Sequence, residues 1–309
     1  MGKVAFVFPG QGSQKVGMGK EAYEASVAAR AVFDEADQAL GEELSRLCFE
    51  GPEEDLKLTA NTQPAVLATS VALLRALEAP FDVVAGHSLG EYSAHVAAGT
   101  LELTDALRLV RKRGQYMQEA VPYGVGAMAA VLRADRTLVE RICAEVPGLV
   151  EAVNYNSPEQ TVIAGEAQAV RDAGAKLKEA GARASTLPVS APFHSSLMEP
   201  AEARLREDIE RLAFSDPRVP VYVNVDANPV TDAAAAKKAL IQQVSRPVRW
   251  EETIRRMIDD GVSLFVEVGP GRVLSGLLIR IDKRAGRINV QAPSDFPRAR
   301  EAIAEAHSA

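Results

Sequence analysis

Apolar and polar positions follow two different rhythms along this chain. In the first, a continuous apolar run at 4–8 and another short apolar run at 81–85 are each followed by a glycine-rich turn and then by segments of helical period. An unbroken run of strand length is how a strand covered on both faces reads, as in a parallel sheet with helices on either side. Segments 21–40, 61–77 and 91–98 are predicted as helices, the second capped by Asn61 or Thr62. Strands alternating with helices predict a parallel α/β sheet.

From 126 to 192 the rhythm changes. Segments 127–132, 150–154, 161–164 and 183–189 read as strands, and 135–145 and 167–180 as helices. The order β-α-β-β-α-β is the split βαβ, or ferredoxin-like, pattern. After Phe193 the first rhythm returns, with strands predicted at 219–223, 263–268 and 287–290 and an alanine run at 233–236 inside a helix. The expected fold is therefore α/β. A large α/β-hydrolase-like domain with a parallel sheet, formed by 1–125 and 193–309, is interrupted by a small ferredoxin-like α+β domain at 126–192.

Charge and composition then remove whole classes of function. The 309 residues carry 35 Lys+Arg against 42 Asp+Glu, a net charge of −7, which argues against a nucleic-acid partner. Cys48 and Cys143 are too few for a disulfide framework or a cysteine zinc site, and no metal-ligand spacing is evident. The N-terminal apolar run stops at Pro9, short of a signal-peptide core, and no stretch approaches the roughly 18 apolar residues of a membrane span. A cytoplasmic protein with no membrane partner is expected.

The candidate chemistry starts at Gly86-His87-Ser88-Leu89-Gly90, which follows a predicted strand and opens a predicted helix. Glycines at both flanks permit the sharp turn of a nucleophile elbow, and the helix N-terminus faces the oxyanion that would form. The alternative is a tight turn with a structural serine. A serine nucleophile needs a base, and of the four histidines His87 adjoins Ser88 in the turn and His95 lies two helical turns further on. His307 falls near the chain end, where fraying is expected. His194 stands in Ser-Ala-Pro-Phe-His-Ser at 190–195, just before the capping-box pattern Ser196-Leu197-Met198-Glu199. It is the candidate base, or else an ordinary interfacial histidine.

Arg113 falls on the apolar stripe Leu103, Ala106, Val110, Met117 and Ala120, where a charge is costly unless an anion meets it. Arg111 and Lys112 point away from that stripe. The anion is an Asp or Glu of this chain, or a substrate carboxylate held by the guanidinium fork. The loop Pro9-Gly10-Gln11-Gly12-Ser13-Gln14 is neither a dinucleotide fingerprint nor a P-loop. Its glycine-flanked Gln11 suits a backbone N–H presented to an oxyanion. Asp34, Asp37 and 53–55 read as solvated acids.

Together these residues resemble the malonyl-CoA:acyl carrier protein transacylase family of fatty acid synthesis. The resemblance runs along the whole chain, through Phe-Pro-Gly-Gln-Gly-Ser-Gln at 8–14, Gly-His-Ser-Leu-Gly-Glu-Tyr at 86–92 and Arg-Gly-Gln-Tyr-Met-Gln at 113–118. It continues with Gly-Ala-Met-Ala-Ala-Val at 126–131, Asn-Tyr-Asn-Ser-Pro at 154–158, Ala-Pro-Phe-His-Ser at 191–195 and Val-Glu-Val-Gly-Pro-Gly at 266–271. It implies Ser88 as the acylated nucleophile and His194 as general base and acid. It further implies Gln11 and Leu89 as backbone oxyanion donors, and Arg113 with Met117 as substrate-binding residues. Gln243, four residues before Pro247, is implied as the carbonyl that orients the histidine, in place of the acid of a Ser-His-Asp triad. Phe193 fits the family's preference for malonyl over methyl-branched groups.

The implied function is ping-pong transfer of malonyl from malonyl-CoA to the pantetheine thiol of acyl carrier protein, with no bound cofactor. The phosphopantetheine is carried by the partner, contact with the carrier is transient, and a monomer is favoured. Docking of an acidic carrier on the basic cluster Arg280, Lys283, Arg284 and Arg287 is expected, unless that cluster is a solvated face. An acyltransferase of polyketide synthesis, a general serine esterase and a non-catalytic scaffold are the rival readings.

Overall fold

The computed structural model describes residues 2–189 and 191–308. Ser190, which opens the 190–195 stretch, lies outside the described residues, as do Met1 and Ala309. Ten strands are found among the described residues: β1 (Lys3–Phe8), β2 (Val83–Gly86), β3 (Gly126–Leu132), β4 (Val150–Ser157), β5 (Gln160–Glu166), β6 (Arg183–Thr186), β7 (Val221–Tyr222), β8 (Pro229–Val230), β9 (Val262–Val268) and β10 (Gly286–Val290). They form a six-stranded sheet in the order β10-β9-β1-β2-β7-β8 and a four-stranded sheet in the order β4-β5-β3-β6.

The first sheet is parallel except for β8, which turns back on β7. Its central strand β1 is buried at five of six positions, since helices cover both faces. Val4, Phe6 and Phe8 enter one core with Val71 and Leu73, while Ala5 and Val7 enter another with Trp250, Ile254 and Phe265. Strands β1 and β2 run in register to Phe8 opposite Gly86. The loops that leave these two strands therefore emerge side by side, at the carboxyl edge where open α/β sheets bind ligands.

The second sheet is antiparallel throughout, with helices Arg136–Glu145 and Ala167–Glu179 on one face. Val131, Val139, Ile163 and Leu177 form its core. Its strand β4 is stitched to the larger unit through Val248, whose N–H donates to the Val153 carbonyl at 2.8 Å and whose carbonyl accepts from Tyr155 at 2.9 Å. This is the expected α/β fold with a ferredoxin-like second sheet. Among the described residues no helix is long and apolar enough to cross a membrane.

Several local expectations are corrected. The predicted helix 21–40 is two helices, Lys20–Ala25 and Val27–Leu40, because Ser26 is extended and its side chain caps Ala29 N–H at 3.3 Å. The next helix runs Thr59–Leu77 and begins after Leu58. Asn61 and Thr62 do not cap it; they donate to the Asp55 and Leu56 carbonyls at 2.9 and 2.6 Å. Strand β6 ends at Thr186 rather than 189. Ser196 forms no capping box, since its N–H and hydroxyl are engaged by Glu151 of β4 at 2.7 and 3.1 Å. His307 is not frayed but lies in helix Phe296–Ser308, 2.9 Å from Asp82. Asp37, read as solvated, accepts from Ser45 N–H at 2.8 Å and so starts helix Leu44–Glu50.

Candidate active site

At the end of β2 the chain turns through His87 and Ser88 into helix Gly90–Ala97. Ser88 has φ +52°, in the left-handed region that a residue with a Cβ adopts only under constraint. The flanking glycines leave room for that turn. A Cβ on Gly86 would lie 1.9 Å from the Gly90 carbonyl carbon, and one on Gly90 would lie 2.0 Å from the Phe8 oxygen.

The Ser88 N–H is taken by Asn224 Oδ1 at 2.7 Å. The following N–H, that of Leu89, is at the N-cap of the helix, beyond the reach of intrahelical carbonyls. The loop after β1 presses on the elbow, so a Cβ on Gly10 would lie 2.5 Å from the His87 carbonyl oxygen. Gln11 follows at once, its side chain donating to Thr59 Oγ1 at 3.2 Å. Gln11 and Leu89 thus flank the serine from two adjacent strand ends.

His194 is 3% exposed. The Ser88 hydroxyl donates to its Nε2 at 2.7 Å, and its Nδ1–H donates to the Gln243 carbonyl at 2.8 Å. That second bond fixes the tautomer, leaving the Nε2 lone pair toward the serine. Burial, reinforced by the charge of Arg113, pushes its pKa down to about 3, so the free imidazole is neutral at neutral pH. The orienting acceptor is a main-chain carbonyl. The other histidines stand apart. His87 turns to Asn156 Oδ1 at 2.8 Å, with its ring edge-on to Trp250, and His95 is buried and pushed down to about 3 by that burial.

Arg113 projects from helix Leu103–Glu119 and is 1% exposed. Nη1 donates to Gln63 Oε1 at 2.8 Å; Nη2 donates to Gln243 Oε1 at 2.9 Å and to Ser88 Oγ at 3.1 Å. Its plane lies over the Tyr92 ring at 5.4 Å, and Nε has no hydrogen-bond partner among the described residues. The hydrogen-bond partners of this buried cation are neutral, not the Asp or Glu that one reading of the stripe expected. Gly114 brings Gln63 within reach, since a Cβ there would lie 2.7 Å from Ala60 Cα. Met117, one turn on and 2% exposed, accepts from the Gln63 amide at 3.7 Å and so steadies the arginine's partner. Arg111 and Lys112 point away, to Asn61 and Asp208.

Sequence reasoning missed Gln63, Asn224 and the side chain of Gln243. The first had a signal in retrospect, as a fully buried amide within a helix that is buried at most of its positions. Asn224 had a positional one: it follows β7, at the carboxyl edge of a parallel strand.

The basic cluster is placed differently from the site. Arg280, Lys283, Arg284 and Arg287 lie at the end of helix Val273–Ile281 and the start of β10. Parallel register sets that region at the amino ends of β9 and β10, whereas Ser88 stands at the carboxyl end of β2. Arg280 donates to Gln160 at 2.7 Å and Arg284 pairs with Asp282 at 3.5 Å, so the cluster does not ring the mouth of the site.

The arrangement sets a serine hydroxyl against a neutral imidazole at 2.7 Å, with a buried cation 3.1 Å from the serine oxygen, the groups that serine-based acyl transfer of an anionic acyl group would need. Comparison with known proteins gives the family. The acyl transferase domain family matches residues 5–292. The malonyl CoA-acyl carrier protein transacylase of Bacillus subtilis is 48% identical over 312 residues, covering 99% of this chain and 98% of its own. That of Escherichia coli K12 is 47% identical over 289 residues, covering 91% and 93%. Among solved structures, the acyl-carrier-protein-S-malonyltransferase of Bartonella henselae superposes with TM-score 0.96 at 46% identity, covering 98% of this chain and 100% of that one. A malonyl-transacylase in complex with a holo type II PKS acyl-carrier protein superposes with TM-score 0.95 at 44% identity, covering 97% and 99%.

Proposed function

Because the chain belongs to the acyl transferase family, we propose that it transfers the malonyl group of malonyl-CoA to the pantetheine thiol of an acyl carrier protein, supplying fatty acid elongation. The observation that carries the substrate assignment is Arg113. A buried guanidinium whose hydrogen-bond partners are neutral stands 3.1 Å from the serine oxygen, where the carboxylate of a malonyl group would complete it. A general esterase has no use for that charge. The same fold and site serve a type II PKS carrier in one solved relative, so pathway membership follows from which carrier protein is the faster acceptor.

In this reading Ser88 Oγ attacks the thioester carbonyl carbon as His194 Nε2 takes its proton. The carbonyl oxygen becomes an oxyanion held by the N–H groups of Leu89 and Gln11. One such donor is worth about 3–4 kcal/mol of barrier. The C–S bond then breaks, and the imidazolium returns its proton to the departing CoA sulfur. The carrier's thiol attacks the malonyl-serine ester by the same steps in reverse, in ping-pong fashion. The Gln243 carbonyl holds the imidazole in its tautomer and accepts from Nδ1–H throughout. The large portion 1–125 and 193–309 supplies these groups, and the small portion 126–192 closes one side of the site. The enzyme works in the cytoplasm as a monomer meeting its carrier transiently.

The test is intact-protein mass spectrometry after brief exposure to malonyl-CoA. One malonyl adduct is expected on the wild type, mapping to Ser88, and none on Ser88→Ala. An adduct that survives the substitution would overturn the assignment.

A further inference from the structure

The reacting groups are held by side chains that do not themselves face the substrate. Asn224 is fully buried and brackets the elbow from both sides of His87: its Oδ1 accepts from Ser88 N–H at 2.7 Å and its Nδ2 donates to the Gly86 carbonyl at 2.7 Å. Its own N–H donates to Glu91 Oε2 at 2.8 Å. That same oxygen accepts from Gln243 Nε2 at 3.0 Å, and Gln243 Nε2 also reaches the Ser88 carbonyl at 2.9 Å. Through its Oε1 Gln243 holds Arg113, and through its main-chain carbonyl it holds His194. One oxygen of a fully buried carboxyl therefore anchors two branches, one ending on the nucleophile and the other on the cation and the base.

We propose that Asn224 is a positioning residue for Ser88, and that Glu91 is a positioning residue for both Asn224 and Gln243. The inference rests on the acyl-transfer reading above. Its physical basis is the elbow's strain. Ser88 at φ +52° relaxes toward ordinary backbone angles unless something outside the turn holds it, and Asn224 supplies two bonds that do so. Because Asn224 consumes the Ser88 N–H, it also excludes that group from the oxyanion site and leaves the task to Leu89 and Gln11. Glu91 acts as an acceptor in this scheme. An uncharged amide at that position serves in its place, and the raised carboxyl pKa, pushed by burial to about 7, is consistent with a group valued for its lone pairs.

The two branches predict different losses, which a merely structural role would not separate. Asn224→Ala and the isosteric Asn224→Asp, which puts an acceptor against the Gly86 carbonyl, each slow single-turnover acylation of Ser88 about 100-fold, the size expected for a misplaced nucleophile. Malonyl and acetyl groups are affected alike, with little change in KM. Glu91→Leu slows malonyl transfer more than acetyl transfer, because Gln243 then loses the acceptor that orients it toward Arg113. Glu91→Gln recovers most of that loss. Thermal melting accompanies each variant, and the isosteric pair carries the test if the others do not fold. Asn224→Asp at the wild-type rate, Glu91→Gln as slow as Glu91→Leu, or equal malonyl and acetyl losses in Glu91→Leu would each overturn the proposal. A wild type that forms no malonyl-serine would instead overturn the acyl-transfer reading beneath it.

Discussion

The parallel sheet and its helices bury Arg113, Glu91, Glu267, His95 and His194, whereas the antiparallel sheet buries Asn154, Asn156, Ser157 and Thr161 but, among the described residues, no charged side chain. Both units pack apolar residues in the ordinary way, yet among the described residues only one buries Arg, Glu or His side chains in its interior. An unpaired buried charge is expensive, so a fold keeps one where binding or chemistry returns the cost. The smaller unit reads as a wall and the larger as the reactor. Arg113, Glu91 and His194 also gather around the elbow at the carboxyl end of β2, while Glu267 stands on β9 and His95 in the last turn of its helix.

The contrast is tested hardest at Arg113. Arg113→Ala removes charge-assisted hydrogen bonds worth about 1.5–3 kcal/mol each, so malonyl transfer falls about tenfold or more per bond lost. Acetyl transfer, which has no carboxylate to lose, holds or rises. The check is the ratio of the two rates in variant and wild type; a joint fall with the fold intact would make Arg113 structural.

The wall responds in the opposite manner. Ile163 is fully buried in the antiparallel sheet, and Ile163→Ala costs about 2–5 kcal/mol of stability. Below its melting temperature the variant still forms malonyl-serine at close to the wild-type rate. Urea unfolding beside single-turnover acylation separates the two readouts.

A smaller effect comes from pH. Burial holds His87, His95 and His194 below their usual 6.5, so the unfolded chain takes up protons that the folded chain refuses. Stability from these groups is complete above pH 6.5 and is lost as pH falls from there toward about 3. Glu91, raised to about 7, runs the other way: its folded carboxyl keeps a proton that the unfolded chain releases, so its contribution declines as pH rises from 4.5 to 7. His95, whose ring nitrogens have no hydrogen-bond partner among the described residues and whose Nε2 lies 3.9 Å from Glu91 Oε1, is the probe. His95→Phe flattens the acid limb by about 1.4 kcal/mol per pH unit, read from urea midpoints between pH 4 and 6.5.

The smallest effect is expected at the basic cluster. Reversing Lys283 and Arg284 to Glu leaves transfer to carrier protein within about twofold even at low salt, because the cluster lies away from the carboxyl edge. A strong, salt-dependent loss there would show that the carrier approaches from a side that the register does not suggest.

How much of this was legible in the sequence varied with the distance over which a residue acts. The parallel strands announced themselves as short apolar runs, continuous at β1, and the ferredoxin-like order showed through the sequence of its elements. Ser88, His194 and Arg113 were legible because each departs from its local pattern: a serine between glycines, a histidine after Pro192-Phe193, a cation on an apolar stripe. Asn224 and Gln63 depart from nothing nearby. Their roles arise from partners 136 and 50 positions away, which only the fold brings together. The same cause hid the placement of Lys283 and Arg284, which are dense in sequence and set by the register of β10 at the amino end of the sheet. Asn61 and Thr62 carried good capping chemistry, yet neighbouring carbonyls claimed their side chains first.

The closeness of Arg113 to the Ser88–His194 pair has a kinetic meaning beyond grip. Next to burial, the cation depresses the basicity of the imidazole that accepts the serine proton in the proposed reaction. There a malonyl carboxylate cancels that charge and so removes the lesser of the two causes that hold His194 down, while burial, the larger, stays. Acyl groups without a carboxylate meet a base that is still suppressed, so they are disfavoured at the proton-transfer step even when they fit. Water arriving at the empty site meets the same suppressed base. In the proposed reaction a carboxylate-bearing substrate thus meets a stronger base than other acyl groups do, so discrimination draws on proton transfer as well as on fit.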